Sequence, residues 1–339
     1  MNVEQDRAAP PGRLKSGSRP AHPRHAASAV PAASPSPLAP ILEHLRSRPS
    51  RTWSIVITVF GDAVVPRGGS LGMGSLLDIF AGMGIGSGVV RTAVSRLAAD
   101  DWLQSKRVGR SSFYRLTRKG QESFAAAAER VYGTPPQEWD GRFHLILPEH
   151  GTDQDAARAA LEESGFGNAG PEVWIAPTTR QVPAEAAPHV HIEGCMSLET
   201  AKRLAARVWP LAETAAAYGR FLEAFRPLLG RIGSGVQLSD LDALVARILL
   251  IHEYRRVVLR DPLLPPALLP DGWAGVPARE LCREAYQALL PGSECWLSQN
   301  GQTEDGPLPP SEGLQHRFGS ALDGSGARRL GTAHITKYP

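Results

Sequence analysis

The segment Lys106 to Lys119 restricts the fold of this chain more than any other stretch of its sequence. It reads KRVGRSSFYRLTRK, with six basic residues and no acidic one. Two strand-like runs on either side of a turn at Gly109 and Arg110 predict a β-hairpin. A two-stranded hairpin is at best marginally stable alone in water, so it must pack against neighbouring elements. We therefore expect the helices beside it in the chain to share its fold unit.

Helical patterns lie on both sides of this hairpin. Apolar density predicts a first helix over Trp53 to Val65 and a shorter second one over Ser75 to Ala81. A third helix is predicted over Gly88 to Asp100, with Ser87 as N-cap because its hydroxyl can accept a hydrogen bond from an early backbone N–H. The apolar stripe of this third helix consists of Val90, Val94 and Leu97. A closing helix is expected over Gln121 to Tyr132.

The polar face of the third helix carries side chains that can bond base edges in the major groove of DNA. It consists of Arg91, Thr92, Ser95 and Arg96. For an isolated helix such a face is more typical of plain solvent-exposed surface, but here the basic hairpin follows directly. The hairpin residues expected to contact DNA are Lys106, Arg107, Arg110, Ser111, Tyr114 and Arg115. Helices followed by a basic hairpin predict a winged helix-turn-helix that binds double-stranded DNA.

The basic residues are concentrated towards the amino-terminal end. The whole sequence has a formal net charge of +3. Residues 41–135 hold 13 Lys and Arg against 7 Asp and Glu, and residues 1–40 hold 5 against 2. The remaining residues therefore carry an excess of acidic side chains. A basic amino-terminal region followed by an acidic remainder is typical of a DNA-binding module attached to a module with a different ligand.

Proline-rich breaks divide the chain, which is predicted to be a multidomain α+β protein. A pattern of strand, helix, strand and strand over Arg142 to Glu193 predicts a ferredoxin-like unit that acts as a linker or dimer surface. Long helices are predicted over Leu198 to Leu229, Ser239 to Leu259 and Val276 to Leu290. The predicted division is a disordered tail over 1–40, a winged helix domain over 41–134, a ferredoxin-like domain over 135–196, a helical effector and dimerisation domain over 197–297, and a second disordered tail over 298–339.

The sequence lacks the signals that are typical of several classes of protein. No apolar stretch is long enough for a membrane helix, and the three cysteines are widely spaced, which indicates a soluble cytoplasmic protein. The glycines from Gly82 to Gly88 do not have dinucleotide-binding spacing. His189 and His191 alternate on a predicted strand and could face one metal ion, but no third ligand of matching spacing accompanies them. We therefore predict no catalytic residues, no metal site and no cofactor.

The chain also resembles a known family over about residues 50–297. The resemblance lies in Phe60-Gly61-Asp62, Arg91-Thr92-Ala93, Ser95-Arg96-Leu97, Trp102-Leu103, Gly109-Arg110 through Tyr114-Arg115-Leu116, and the run IHEYRRVVLRDPLLPPALLP followed by Gly272-Trp273. These motifs are similar to those of the PaaX family, repressors of bacterial phenylacetate-catabolism operons. The resemblance implies a winged-helix homodimer that binds a palindromic operator. It also implies release from DNA by an aryl-CoA thioester such as phenylacetyl-CoA.

A candidate receptor for this effector lies near the end of one predicted helix. Guanidinium groups match phosphate oxygens in geometry and charge, so arginines there could bind the phosphates of CoA. The candidate effector residues are Tyr254, Arg255, Arg256 and Arg260. The same arginines could instead stabilise the carboxyl end of the helix and pair with Glu253 or Asp261.

Three functional alternatives stay open at this stage. The first is an activator of the same family. The second is an acyl-CoA-handling enzyme with a DNA-binding front end, which turnover of an aryl-CoA would show. The third is an interaction protein that binds RNA or an acidic partner through its basic front, which competition between duplex DNA and RNA would show.

Overall fold

The computed structural model describes residues 38–47, 50–133, 138–149, 154–311, 313–314 and 317–319. Within these ranges the chain combines α-helices with antiparallel β-sheets, which confirms the predicted α+β class. Residues 1–37 of the predicted amino-terminal tail lie outside the described residues. The prediction of disorder is wrong for residues 38–40, because Leu38 is buried and a helix begins at Ala39.

The amino-terminal region combines helices with a three-stranded sheet. Its elements are α1 (Ala39–Ser47), α2 (Thr52–Thr58), β1 (Ser70–Gly72), α3 (Met73–Gly82), α4 (Ser87–Ala99), β2 (Leu103–Val108), β3 (Ser111–Leu116) and α5 (Arg118–Tyr132). Helix α2 widens into π-helical turns over Val59–Val64. The strand order is β1-β3-β2, and both pairs are antiparallel. The predicted helices and hairpin are confirmed, whereas β1 was not predicted because three residues are too few for a periodic signal.

Helix α4 buries the apolar stripe that its sequence predicts. Val90, Val94 and Leu97 are each at most 2% exposed, and the helix packs against α2 and α3. Its N-cap differs from the prediction, since Ser87 is the first helical residue and Gly86 takes the cap position without a side-chain hydrogen bond. The predicted hairpin turn is confirmed at Gly109, whose φ of 59° suits a residue without a Cβ.

The middle region contains β4 (Arg142–Leu147), α6 (Gln154–Glu163), β5 (Gly167–Gly170), β6 (Val173–Pro177) and β7 (Val190–Cys195). The strands form one antiparallel sheet in the order β5-β6-β4-β7, so β7 is an edge strand. A short 3-10 helix, Ala184–Ala186, stands where a ferredoxin-like unit has its second helix. Strand β5, of sequence GNAG, was not predicted because it lacks alternating apolar residues.

The carboxy-terminal region is mainly helical. It contains α7 (Leu198–Val208), α8 (Leu211–Gly233), α9 (Asp240–Val258) and α10 (Gly275–Asn300). The single helix predicted over Leu198 to Leu229 is wrong, because Trp209 has extended backbone before Pro210. The predicted N-cap at Ser239 is confirmed, since its hydroxyl accepts from the Asp242 amide at 3.1 Å. Helix α9 contacts α2, α3, α8 and α10, which makes it the centre of the core.

The disordered tail predicted from residue 298 is wrong for residues 298–311. Helix α10 continues through Pro291 to Asn300, and a short hairpin follows, formed by β8 (Gln302–Thr303) and β9 (Gly306–Pro307). Leu308 and Phe318 are buried, and this burial explains the order of the segment. The domain boundaries stay a prediction. None of the described helices is long and apolar enough to cross a membrane.

Candidate nucleic-acid interface

The polar face predicted on α4 lies at the surface. Arg91, Thr92, Ser95 and Arg96 are all exposed. The Thr92 hydroxyl donates to the Gly88 carbonyl at 3.0 Å, so it also bonds its own helix. Arg96 Nε lies 3.5 Å from Asp100 Oδ2, and both side chains are more than half exposed. An exposed pair of this kind is weak, so the guanidinium can leave Asp100 for a stronger partner.

The β2–β3 hairpin forms what we call the wing, and the tip of the wing extends this surface. Arg107, Arg110 and Ser111 are exposed, and Val108 between them is 44% exposed. Tyr114 differs, because it is half-buried against the core and paired with Leu71 of β1. The structure therefore leaves the two arginines and the serine at the wing tip accessible to a ligand.

Glu304, in the turn of the β8–β9 hairpin, contacts the base of the wing. Its carboxylate accepts hydrogen bonds from Ser70 and Arg115 and lies 3.7 Å from Lys106 Nζ. The side chain is only 2% exposed. The hydrogen bond from Ser70, helped by the nearby cations, holds the pKa of Glu304 below its ordinary value. Two of the predicted phosphate contacts, Lys106 and Arg115, thus already face a carboxylate.

A buried carboxylate, Asp62, joins the π-helical turns after α2 to the helical region. Its Oδ2 accepts from Arg247 Nε of α9 at 2.8 Å. Its Oδ1 accepts from the Tyr132 hydroxyl at 2.6 Å and from Arg317 Nη1 at 2.5 Å. The Tyr286 hydroxyl of α10 donates to the same oxygen at 3.2 Å. One acidic side chain therefore connects elements from both ends of the chain.

The charges around Asp62 continue into a second ion pair. Arg247 Nη1 donates to Glu294 Oε1 at 2.6 Å, and Glu294 Oε2 accepts from Arg67 Nε at 3.0 Å. Burial disfavours the charge on Arg247, but Asp62, Tyr286 and Glu294 together outweigh burial and raise the pKa of this arginine. Burial and the Asp62 charge also raise the pKa of Tyr132, which keeps its hydroxyl a donor. The amino-terminal region is thus held to α9 and α10 by charged hydrogen bonds.

The four predicted effector residues do not face one site. Tyr254 is 2% exposed, and its ring lies 5.5 Å from that of Phe221 in the core. Arg255 Nη1 donates to Thr58 Oγ1 of α2 at 3.0 Å. Arg260 is exposed. Arg255 and Arg256 lie near each other, because Arg255 contacts α2 and Arg256 contacts Ser50, which precedes it.

Arg256 pairs with Glu253, which the sequence analysis gave as an alternative to binding a CoA phosphate. Its Nη1 donates to Glu253 Oε1 at 3.0 Å and to Ser50 Oγ at 2.8 Å. This confirms the predicted pairing with Glu253. Asp261 is not part of the arginine group, because its carboxylate accepts from the Tyr218 hydroxyl at 2.7 Å.

The roles of Asp62, Arg247 and Glu304 were not predicted from the sequence. One signal was present for Asp62, an acidic residue inside the apolar run from Trp53 to Val65. Such a residue is either at a helix face exposed to water or buried with a cation. Glu304 offered no signal, since it lies in a segment of polar residues, glycine and proline.

Two family models match the chain. The model described as PaaX-like protein matches residues 51–120, and the model described as PaaX-like protein C-terminal domain matches residues 209–299. The first match covers α2 to β3 with the wing and the first three residues of α5, and the second covers α8, α9 and most of α10.

The chain is also similar to individual known proteins. The transcriptional repressor PaaX of Escherichia coli K12 is 36% identical over 283 residues, which cover 78% of this chain and 89% of that protein. A solved structure, the uncharacterised protein Rv0674 from Mycobacterium tuberculosis, is 22% identical with a TM-score of 0.45 and covers 65% of this chain and 88% of that one.

Proposed function

The chain belongs to the PaaX-like family of transcriptional regulators, and on that premise we propose that it represses an aromatic-acid catabolic operon of the phenylacetate type. The family match favours a regulator over an acyl-CoA-handling enzyme. We expect the protein to act in the cytoplasm as a homodimer on double-stranded operator DNA.

We propose that residues 52–132 form a winged helix-turn-helix, with α4 as the recognition helix. The observation that carries this proposal is the shared exposure of the α4 polar face and the wing tip, which follow one another in the chain. In that fold the recognition helix enters the major groove with its amino-terminal residues on the base edges. Arg91 and Arg96 would read bases, Thr92 and Ser95 would tune the choice of base, and the wing would contact phosphates or the minor groove.

We further propose an aryl-CoA, such as phenylacetyl-CoA, as the effector that releases the operator. Arg255 now binds Thr58 of α2, and α2 packs against α4. A CoA phosphate that attracted Arg255 away from Thr58 and Arg256 away from Ser50 would change the support of α2, and with it that of the recognition helix. Effector binding at this end of α9 would thereby lower DNA affinity, which is the coupling that release requires.

The proposal is tested by gel retention of the DNA upstream of the protein's own gene, at a stated salt concentration. We expect a retained complex that random duplex does not compete away, and its loss on addition of phenylacetyl-CoA. Retention that strengthens with the effector and raises transcription would indicate an activator. Persistent turnover of the thioester, or preference for RNA over duplex DNA, would overturn the proposal.

The contact of Glu304 with the wing gives a prediction about DNA affinity. We expect Glu304→Gln to bind every duplex more tightly, because Lys106 and Arg115 become available to phosphates. If both engage, the slope of log K against log salt should steepen by up to about 2, close to one unit per neutralised phosphate. Salt titrations of binding to a random duplex measure this slope.

The matched control for Glu304→Gln is Asp305→Asn, which removes the same charge from the exposed neighbouring residue. We expect a smaller effect from it, because no described cation of the wing contacts Asp305. Equal gains in affinity for both variants would show that overall charge, and not the contact with Lys106 and Arg115, is responsible.

A further inference from the structure

The middle sheet carries a group of three potential metal ligands. His144 Nδ1 lies 3.0 Å from His191 Nε2 and 3.6 Å from Glu193 Oε1. The ligand atoms of the three side chains all lie within 4.8 Å of one another. We propose that His144, His191 and Glu193 form a binding site for a divalent transition-metal ion, with Zn²⁺ the best match.

The distances agree with the geometry of zinc. Bonds of about 2.0–2.1 Å to nitrogen and oxygen in a tetrahedron separate neighbouring ligand atoms by about 3.3 Å. The two separations from His144, 3.0 and 3.6 Å, lie on either side of this value. The third separation, between His191 and Glu193, is within 4.8 Å, and rotation of these two exposed side chains would bring all three ligand atoms around one ion. Imidazole together with carboxylate is a ligand set that zinc accepts in proteins.

The antiparallel pairing of β4 with β7 places the three side chains together. His144 is directly opposite Glu193, and Ile146 is opposite His191. Side chains two residues apart on a strand point to the same face, so His191 and Glu193 both accompany His144. The site therefore depends on the register of the two strands, and an ion there would fasten the edge strand β7 to β4.

Neighbouring groups orient two of the ligands as metal sites require. The His144 ring stacks on that of Phe166 at 18° between the ring planes. Arg142 Nη2 lies 3.3 Å from Glu193 Oε2, which leaves Oε1 directed at the histidines. Partners of this kind fix the ring nitrogen and the carboxylate oxygen that face the ion.

The proposed site differs from the pair of possible ligands that the sequence suggested, His189 and His191. His189 is buried, and its Nδ1 accepts from the Glu149 amide at 3.2 Å, so its ring does not join His191. The additional ligand comes instead from β4, 47 residues earlier in the chain than His191. Glu193 is 43% exposed and His191 is exposed, so water can complete the coordination.

The test is a titration of the metal-free full-length protein with Zn²⁺ by isothermal calorimetry, repeated with Co²⁺, whose visible spectrum reports the geometry of its ligands. We expect one ion per chain. His191→Ala and Glu193→Gln change exposed side chains, so both variants should fold, and each should weaken zinc binding at least tenfold. Zinc should raise the Tm of the wild-type protein and leave that of His191→Ala unchanged.

Two control variants separate this site from unspecific binding. Glu199→Gln removes an exposed carboxylate of α7, and His22→Ala removes a histidine of the amino-terminal segment. Both should bind zinc like the wild-type protein. Zinc affinity that is unchanged in His191→Ala and Glu193→Gln, or a stoichiometry well below one, would overturn the proposal. These outcomes are independent of DNA binding, so they leave the proposed repressor function untouched.

Discussion

Replacement of Asp62 by alanine is expected to lower the free energy of unfolding by about 3–5 kcal/mol, the cost of removing one partner from a buried ion pair. Asp62 and Arg247 are both fully buried, and Arg317 is largely so. The substitution takes the carboxylate away from two guanidinium groups, and among the described ion pairs Arg247 alone retains another carboxylate, Glu294. The hydroxyls of Tyr132 and Tyr286 lose their acceptor as well, and buried donors without a partner add to the cost.

Urea unfolding followed by circular dichroism measures this loss. The matched control is Asp78→Ala, which removes an exposed carboxylate from α3 and should change stability by no more than about 0.5 kcal/mol. Asp62→Asn keeps the shape of the side chain but not its charge, so it should also be strongly destabilising. An Asp62→Ala protein as stable as the control would show that the network around Asp62 adds nothing to folding.

Replacement of Arg96 by alanine is expected to cost about 1–3 kcal/mol of operator binding and to flatten the preference for the operator over random DNA. This is the range for a side chain that reads a base edge in the major groove. The exposed pair with Asp100 does not hold the guanidinium strongly, so little is needed to release it. Arg107→Ala, at the wing tip, should instead weaken binding to all duplexes alike and reduce the salt slope by about 1.

Fluorescence anisotropy with operator and random duplexes over a range of salt concentrations separates these two effects. Arg283→Ala provides the control, because Arg283 lies on α10 and pairs with Glu280. It should bind both duplexes like the wild-type protein. If Arg96→Ala and Arg107→Ala lost the same affinity for both duplexes, the roles assigned to α4 and to the wing would be wrong.

The wing shows how far a sequence pattern predicts a surface. Alternation and turn residues predicted the strands, and the count of basic residues predicted an anion-binding surface. The structure divides these cations into two groups. Lys106 and Arg115 form ion pairs with Glu304 of the β8–β9 hairpin, whereas Arg107 and Arg110 do not. A count of charges cannot predict this difference, because the acidic partner comes 189 residues after Arg115.

The sequence by itself determined most of the helices, the β2–β3 hairpin, the exposed face of α4 and the resemblance to the family. Each of these depends on neighbours within a few residues, through hydrogen bonds of one helix or strand pair and through the period of its apolar side chains. Helix α4 is the clearest case, because burial of Val90, Val94 and Leu97 leaves the polar side chains between them on the exposed face.

Only the tertiary structure decided the partners of the charged residues. Asp62 meets Arg247 and Arg317 from 185 and 255 residues away, and His144 meets His191 across two strands. A charged side chain carries no local preference for one distant partner over another. The choice follows from how the helices and strands pack, since burial makes an unpaired charge costly and thereby selects the fold that pairs it.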